Sequence, residues 1–417
     1  MAKFEIVGGK PLNGSVVVQG SKNAALPILA ASLLCEEQIV IKNVPKITDV
    51  KDMLKILSCM GVKYRWQADA LIIDAKDAKY GKISPTLSRR IRSSIFLLGS
   101  FLSRFKRAEL FHPGGCNIGS RPIDLHIKGL RDLGAKIDEK FDTISCDAKS
   151  LKSGTVILNF PSVGATENLI LASVFCAGTT NIVNAANEPE IVDLANFINA
   201  MGGNIEGAGT SVIKVTGVKK LNGCNYKIMP DRIVAGTILI ATAMCGGRVE
   251  LLDVQPCHLI ALTSKLRQNC CHIIMGDDKM YISSYGKLDA LPKIETEPYP
   301  GFPTDLQNQY LALSTISKGS TIISENLFET RFKIVQGLVK MGAKINVSGK
   351  KAIVRGVSCL KGCEVYAEDL RGGAAFVIAG LGASGKTIVH NISHIDRGYC
   401  RLDQVFKKLG ADIKRIE

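Results

Sequence analysis

Residues 57–64, LSCMGVKY, decide the fold, because the chain repeats their pattern five more times. The copies are LRDLGAKI (130–137), INAMGGNI (198–205), LRQNCCHI (266–273), LVKMGAKI (338–345) and FKKLGADI (406–413). Each copy runs from apolar residues through Met or Leu to Gly, then a small residue, a polar residue and usually Ile. The anchors are Gly61, Gly134, Gly202, Cys270 in place of Gly, Gly342 and Gly410, spaced 68 to 73 residues apart. A period near seventy is too long for the common solenoids. It suits a small αβ unit used six times, with room for several strands and helices in each.

A second piece recurs once per unit. A polar or charged residue opens a long apolar run, then comes a small polar turn and a β-branched strand. Ser21-Lys22-Asn23, Arg92, Thr166-Glu167-Asn168, Asp231-Arg232, Asp305 and Asp369-Leu370-Arg371 open these runs. A helix that is apolar all round is a buried helix. Its unpaired amides and macrodipole favour anions at the N-terminus. Six such starts gathered at one cleft form an anion site before any side chain is counted.

The chain has 417 residues, 46% of them hydrophobic, with mean hydropathy +0.15. Two domains of three units each are expected, with ample core. No segment reaches the roughly 18 apolar residues of a membrane span. The start, MAKFEIVGGK, carries no signal-peptide core. Thirteen cysteines with no CxxC argue against a disulfide framework or zinc ribbon. The reducing cytoplasm is the expected compartment, and no membrane partner is expected. Net charge +15 favours anionic partners. The basic residues are dispersed and no recognition motif appears, so a small polyanionic substrate is expected and nucleic acid is not.

Gly380-Leu-Gly-Ala-Ser-Gly-Lys-Thr387 matches the phosphate-loop pattern, but a helix-like run precedes it and a strand-like run follows. A true phosphate loop has the opposite order. The segment 112–126, HPGGCNIGSRPIDLH, reads as a mobile surface loop. In it Cys116 sits between glycines with Arg121 nearby. A thiol near cations becomes a reactive thiolate, and a protonated thiol can act as an acid. An ordinary linker is the alternative reading of this stretch.

With these residues in view, the chain resembles the UDP-N-acetylglucosamine 1-carboxyvinyltransferases, members of the EPSP synthase family of enolpyruvyl transferases. The resemblance runs end to end. It rests on GSKNAALPI (20–28), PGGCNIGSRPIDLH (113–126), PSVGATEN (161–168), EPEIVDLANF (188–197), PDRI (230–233), FPTD (302–305), FETRF (328–332), EDLRGGAA (368–375) and HIDRGY (394–399), in this order. It implies a two-domain inside-out α/β barrel, the enolpyruvyl transferase fold, with six repeated units, three per domain, helices inside and sheets outside. It implies one domain of 22–229, another of 1–21 plus 230–417, and a cleft between them. The implied reaction joins phosphoenolpyruvate to the 3′-hydroxyl of UDP-N-acetylglucosamine and releases phosphate, by addition and then elimination, as the first committed step of peptidoglycan biosynthesis.

The resemblance also assigns roles. Cys116 matches the acid at the enol carbon and a site of covalent adduct formation or epoxide (fosfomycin) attack. Asp305 matches the base for the 3′-hydroxyl, with a helix N-cap as the alternative role. Lys22, Arg121 and Arg397 match the cations for phosphoenolpyruvate, and Arg92, Arg331 and Arg371 line the same cleft. Asn23 matches a sugar contact. Pro122, Asp124, Leu125, Ser162, Val163, Gly164, Leu327 and Phe328 match the nucleotide-sugar site. Asp369 matches a carboxylate of the later proton steps, or a cap. No metal or organic cofactor is implied, and the expected state is a monomer or weak homo-oligomer.

Some positions depart from the pattern. Val234 stands where Glu is usual, Phe160 where some members carry Lys, Cys270-Cys271-His272 for a Gly-Ala-Asp turn, and Gly372-Gly373 for Ala-Gly. Val234 removes a charge near Asp231 and puts the bonding there in question. Two other readings stay open at this stage. One is a non-catalytic paralogue that binds the nucleotide sugar, against which the intact Lys22, Cys116, Asp305 and Arg397 count. The other is the sister 3-phosphoshikimate 1-carboxyvinyltransferase, which does not use the PGGC loop.

Overall fold

Each repeated phrase ends a helix. In the computed structural model, which describes residues 2–417 except 82, 113, 115–121, 141 and 150, helices Thr48–Cys59, Asp124–Asp132, Pro189–Ala200, Ile260–Gln268, Val335–Lys340 and Leu402–Lys408 stop two residues short of the six anchors. All six anchors are left-handed, with φ of +88° at Gly61, +89° at Gly134, +91° at Gly202, +95° at Gly342, +92° at Gly410 and +71° at Cys270. The turn lets Gly61 N–H donate to the Ser58 carbonyl and Val62 N–H to Leu57, which closes the helix end. Glycine enters this region without a Cβ penalty; Cys270 does not.

Each anchor leads through a short turn into a strand, and the strands form six sheets among the described residues. The described residues divide into two compact units: one holds Gly20–Gly114 and Pro122–Met229, the other joins the residues up to Gln19 with Pro230–Glu417.

In the first unit one sheet is ordered Asn225–Lys227, Ile39–Lys42, Ala70–Asp74, Lys63–Gln67. A second is Arg107–Phe111, Thr143–Asp147, Lys136–Lys140, and a third Asn204–Glu206, Val212–Thr216, Thr179–Val183, Thr155–Ile157.

In the other unit the orders are His272–Met275, Lys279–Ser284, Gly247–Leu252, Leu12–Val17, then Lys293–Glu295, Ser320–Ser324, Lys351–Arg355, Lys344–Ser348, and Glu364–Tyr366, Lys386–His390, Lys3–Val7, Asp412–Ile416. Strand burial alternates, as in Lys351–Arg355, where Ala352 and Val354 are buried and their neighbours exposed. One face of each such strand therefore meets the helices and the other meets water.

The long apolar runs are the inner layer. Lys22–Ser32, Leu97–Phe105 and Val163–Ser173 fill the first unit; Arg232–Cys245, Gln307–Ser314 and Leu370–Gly382 fill the second. Every residue of Gln307–Ser314 is buried, as are Arg232–Met244 and Leu370–Leu381. A fully buried Leu or Ile contributes about 1.5–3 kcal/mol, so these helices dominate each core. Small residues permit the close approach: a Cβ on Gly99 would lie 2.5 Å from the Asn168 Oδ1. With helices inside and sheets outside, each unit is an inside-out α/β barrel.

Two strands are exchanged where the chain passes between units. Leu12–Val17 precedes helix Lys22–Ser32 but pairs in parallel with Gly247–Leu252. Asn225–Lys227 precedes helix Arg232–Cys245 but pairs in parallel with Ile39–Lys42. The segment 380–387 runs from the end of helix Leu370–Gly382 into strand Lys386–His390, the reverse of a nucleotide loop. Among the described residues no helix is long and apolar enough to cross a membrane.

Candidate active site

The helix starts carry the polar residues. In the first unit Ser21 caps Lys22–Ser32, its Oγ accepting from Ala24 N–H at 3.3 Å. Lys22 follows as the first helical residue and is 9% exposed. A buried cation at the positive end of a helix dipole is unfavourable. The Asp49 carboxylate offsets this at 2.8 Å from the Lys22 ammonium. Asp49 itself lies in the first turn of Thr48–Cys59, where an acid is favoured. One turn on, Asp52 takes Arg90 at 3.4 Å and Lys55 at 3.5 Å. Asn23 is partly exposed beside Lys22.

Ser162 caps Val163–Ser173, its Oγ accepting from Ala165 N–H at 3.4 Å, and Ser162, Val163 and Gly164 are partly exposed. Asn168 anchors this helix to its neighbours. Its Oδ1 accepts from Gly99 N–H at 2.7 Å, and its Nδ2 donates to the Ile95 carbonyl at 3.0 Å and lies 3.0 Å from His126 Nδ1. These bonds tie the turn Arg92–Phe96, and so Arg92, to the helix start Asp124–Asp132 that carries Asp124 and Leu125. Gly164 permits that packing, since a Cβ there would lie 3.1 Å from the His126 ring. Pro122 and Asp124 are exposed and Leu125 partly so. Cys116 and Arg121 lie outside the described residues.

In the other unit the charges converge. Asp305, in the turn Thr304–Leu306, accepts from Arg331 Nη2 on Oδ1 and from Arg371 Nη2 on Oδ2, both at 2.7 Å. The guanidiniums are almost wholly buried, and about a quarter of the Asp305 side chain (24%) reaches solvent. Burial alone would raise the proton affinity of Asp305. The charges and bonds of Arg371 and Arg331 outweigh it and hold the carboxyl well below the usual range. Burial alone would make Arg371 less basic; the Asp305 charge reverses this and pushes it up. The N-cap reading of Asp305 is therefore corrected. The cap position is Pro303, and the Asp305 carboxylate is turned to the two guanidiniums, whose charge-assisted bonds are the stronger.

Asp369 does cap its helix, Oδ1 accepting from Arg371 and Gly372 N–H at 2.9 Å each. The same cap thus fixes the start of Arg371. The Arg371 guanidinium lies 5.6 Å from the Tyr399 ring centroid, and that of Arg331 5.3 Å from Phe328. Arg397 ends the turn Ile392–Arg397, two residues before Tyr399. Leu327 and Phe328 follow Glu325, whose Oε1 accepts from both amides at 2.9 and 3.1 Å.

Val234 leaves the bonding at Asp231 intact. Asp231 Oδ1 accepts from the Ile233 and Val234 amides at 2.9 and 3.0 Å, and the Val234 side chain joins the apolar core. At the Cys270–Cys271 turn the two thiols part: Cys270 is exposed and donates to Asp289 at 3.3 Å, while Cys271 is buried. Sequence reading gave no role to Asp49 or Glu325, and named Asn168 only as part of a polar helix start. Asn168 stands in the PSVGATEN motif, which was the available signal; Asp49 and Glu325 carried none.

Solved enolpyruvyl transferases share this architecture of units with three sheets outside and helices inside. An enolpyruvyl transferase, NikO of Streptomyces tendae, superposes with TM-score 0.88 at 23% identity, covering 100% of this chain and 99% of its own. EPSP synthase of Acinetobacter baumannii gives 0.77 at 18% identity over the full length of both. The profile of the EPSP synthase family, described as 3-phosphoshikimate 1-carboxyvinyltransferase, matches residues 6–406.

Much nearer in sequence is UDP-N-acetylglucosamine 1-carboxyvinyltransferase 2 of Caldanaerobacter subterraneus subsp. tengcongensis, 49% identical over 416 residues and 100% of both chains. UDP-N-acetylglucosamine 1-carboxyvinyltransferase 1 of Carboxydothermus hydrogenoformans is 48% identical over 417 residues, 100% of this chain and 99% of its own. The chain belongs to the EPSP synthase family and, within it, to the UDP-N-acetylglucosamine 1-carboxyvinyltransferases.

Proposed function

We propose that the protein transfers the enolpyruvyl group of phosphoenolpyruvate to the 3′-hydroxyl of UDP-N-acetylglucosamine with release of phosphate, in the cytoplasm, as the entry to peptidoglycan and cell-wall synthesis. The observation that carries this reading is the Asp305 carboxylate held between the buried guanidiniums of Arg331 and Arg371. That cluster supports reading Asp305 as the base and the two guanidiniums as anion-binding groups. The full-length relatives supply the identity of the substrates.

In the proposed reaction the enol carbon C3 takes a proton from the Cys116 thiol while the sugar oxygen bonds to C2. The hydroxyl proton passes to Asp305. The tetrahedral ketal then gives up a proton from C3, which passes by way of the Asp369 carboxylate back to the Cys116 thiolate. Phosphate leaves C2 with the proton held on Asp305; this regenerates the double bond and both groups. Atoms balance with no external oxidant, reductant or metal.

Lys22, Arg121 and Arg397 hold the phosphate and carboxylate of phosphoenolpyruvate, and Arg92 lies nearby. Asn23 touches the sugar. The nucleotide sugar is held by Pro122, Asp124, Leu125, Ser162, Val163, Gly164, Leu327 and Phe328, and Asp369 serves the elimination steps. Residues 22–229 form one domain, and 1–21 with 230–417 the other.

The clamped Asp305 binds protons too weakly to be an effective base. An arriving phosphoenolpyruvate competes for Arg331 and Arg371, weakens their hold and raises the proton affinity of Asp305 when the hydroxyl is in place. Substrate binding thereby arms the base. The test is phosphate release from phosphoenolpyruvate with UDP-N-acetylglucosamine, beside a shikimate 3-phosphate control. Release with the nucleotide sugar alone supports the assignment. Release with shikimate 3-phosphate moves the chain to the sister activity, and nucleotide-sugar binding without release marks a non-catalytic paralogue.

A further inference from the structure

We infer that Glu325 is a positioning residue that locks the Asp305 turn and the 327–328 segment into one frame. This rests on the proposed reading of Asp305, Leu327 and Phe328 as substrate-site residues.

Strands Lys293–Glu295 and Ser320–Ser324 run parallel and side by side, with Glu295 opposite Ser324. Loops that leave the carboxyl ends of parallel strands are where α/β folds build sites. Here the two loops carry 296–305 and 325–328. Glu325 is the first residue past its strand and is 1% exposed. A carboxylate so buried requires several donors. Its Oε1 accepts from Thr296 Oγ1 at 3.0 Å, Leu327 N–H at 2.9 Å and Phe328 N–H at 3.1 Å, and its Oε2 from Thr304 Oγ1 at 2.9 Å.

The four donors come from both loops. Thr296 opens the first loop and is itself bonded twice to Asn326, whose N–H donates to Thr296 Oγ1 at 2.9 Å and whose Nδ2 donates to the Thr296 carbonyl at 3.1 Å. Thr304 begins the turn that holds Asp305. One acceptor-only group therefore sets the height of the Asp305 turn and the direction of the Leu327 and Phe328 amides together. Among the described residues these bonds come from backbone and hydroxyl donors, with no cation among them.

The side chain requirement is specific. Glu325→Ala leaves two amides and two hydroxyls without their acceptor. Glu325→Gln keeps Oε1 on Thr296, Leu327 and Phe328 and turns its amide toward Thr304, whose hydroxyl rotates to accept. Gln thus preserves the frame without the charge.

The test compares the wild type, Glu325→Gln and Glu325→Ala by two readouts. The first is amide hydrogen exchange, which does not depend on the reaction. Faster exchange at 327 and 328 by about tenfold or more in Glu325→Ala, with near wild-type exchange in Glu325→Gln, is expected. The second is steady-state kinetics: KM for UDP-N-acetylglucosamine rises about tenfold or more in Glu325→Ala while KM for phosphoenolpyruvate changes less than about twofold, and Glu325→Gln restores most of the difference. Unchanged exchange at 327 and 328 in Glu325→Ala overturns the inference whatever the enzyme does. So does a Gln variant that behaves as the Ala variant, or an equal rise of both KM values. A wild type that turns over neither substrate pair, with the exchange result as expected, removes the catalytic reading and leaves the loop lock standing.

Discussion

The Lys22 ammonium sits 2.8 Å from the Asp49 carboxylate, and both side chains are buried. The relationship joins the first turns of two helices 27 residues apart in sequence. It lets a cation stand at a helix N-terminus, where the dipole opposes it. Removing one partner of a buried pair costs about 3–5 kcal/mol, because the remaining charge loses its close counter-ion. Asp49→Asn is expected to destabilise the first unit by about 3 kcal/mol. Phosphoenolpyruvate, as a replacement anion for Lys22, is expected to raise the melting temperature of Asp49→Asn more than that of the wild type. Equal shifts in a thermal scan with and without ligand would remove Lys22 from the proposed anion site.

Glu167, in the first turns of helix Val163–Ser173, gives a pH prediction. Burial, then the charges of Glu190 and Glu188, push its proton affinity well above the usual carboxyl value. The native state therefore binds more protons than the unfolded state between the unfolded value, about 4.3, and the higher native one. Stability falls as pH rises through that window. Glu167→Gln mimics the protonated form and removes the loss. The variant is expected to be more stable than the wild type at pH 7 by about 1 kcal/mol or more, and equal to it near pH 4. Urea unfolding at the two pH values checks this, and a constant difference across them would contradict it.

Much of the fold was readable because the chain states it by period. The six anchors stand out since a left-handed helix end selects Gly, and the left-handed turn persists even where Cys270 replaces it. The inner helices were readable because Ile233 to Cys245 and Leu370 to Gly382 are apolar all round, a pattern that only burial permits. Asp305 and Arg371 were readable as charges that open such runs. Their mutual contact was not, since 66 residues separate them and nothing local couples one to the other. Asp49 and Glu325 stayed hidden for the same reason. Each resembles an ordinary surface carboxylate in sequence, and only the packing of distant strands and helices gives it a partner. The exchange of strands Leu12–Val17 and Asn225–Lys227 was also invisible in the period, because each strand stays in its place along the chain while changing sheet.

Cys270 marks a local defect with a simple repair. At φ +71° its Cβ crowds the following carbonyl, a cost the five glycine anchors avoid. The exposed thiol's bond to Asp289 returns little. Cys270→Gly is expected to raise the melting midpoint by about 2 °C with activity unchanged. Scanning calorimetry beside a phosphate-release assay checks both halves. A lower midpoint would show that the thiol contact outweighs the backbone strain.

Asp305 and its two arginines make the sharpest claim. The guanidiniums of Arg331 and Arg371 each spend a charge-assisted bond on the carboxylate at 2.7 Å. In the proposed reading an incoming anion competes with Asp305 for these two guanidiniums. Asp305→Asn removes the competitor and the proposed base at once. The variant is therefore expected to bind phosphoenolpyruvate more tightly than the wild type while its turnover falls about 100-fold or more.

Loss of the carboxylate also leaves two buried cations together, so the variant is less stable in plain buffer. Inorganic phosphate is expected to restore it more than it stabilises the wild type, since a bound anion then replaces the missing charge. Isothermal titration with phosphoenolpyruvate and single-turnover phosphate release separate the two effects. Weaker binding in Asp305→Asn would show that the carboxylate holds the arginines ready for the substrate rather than competing with it. Retained turnover would assign the base elsewhere.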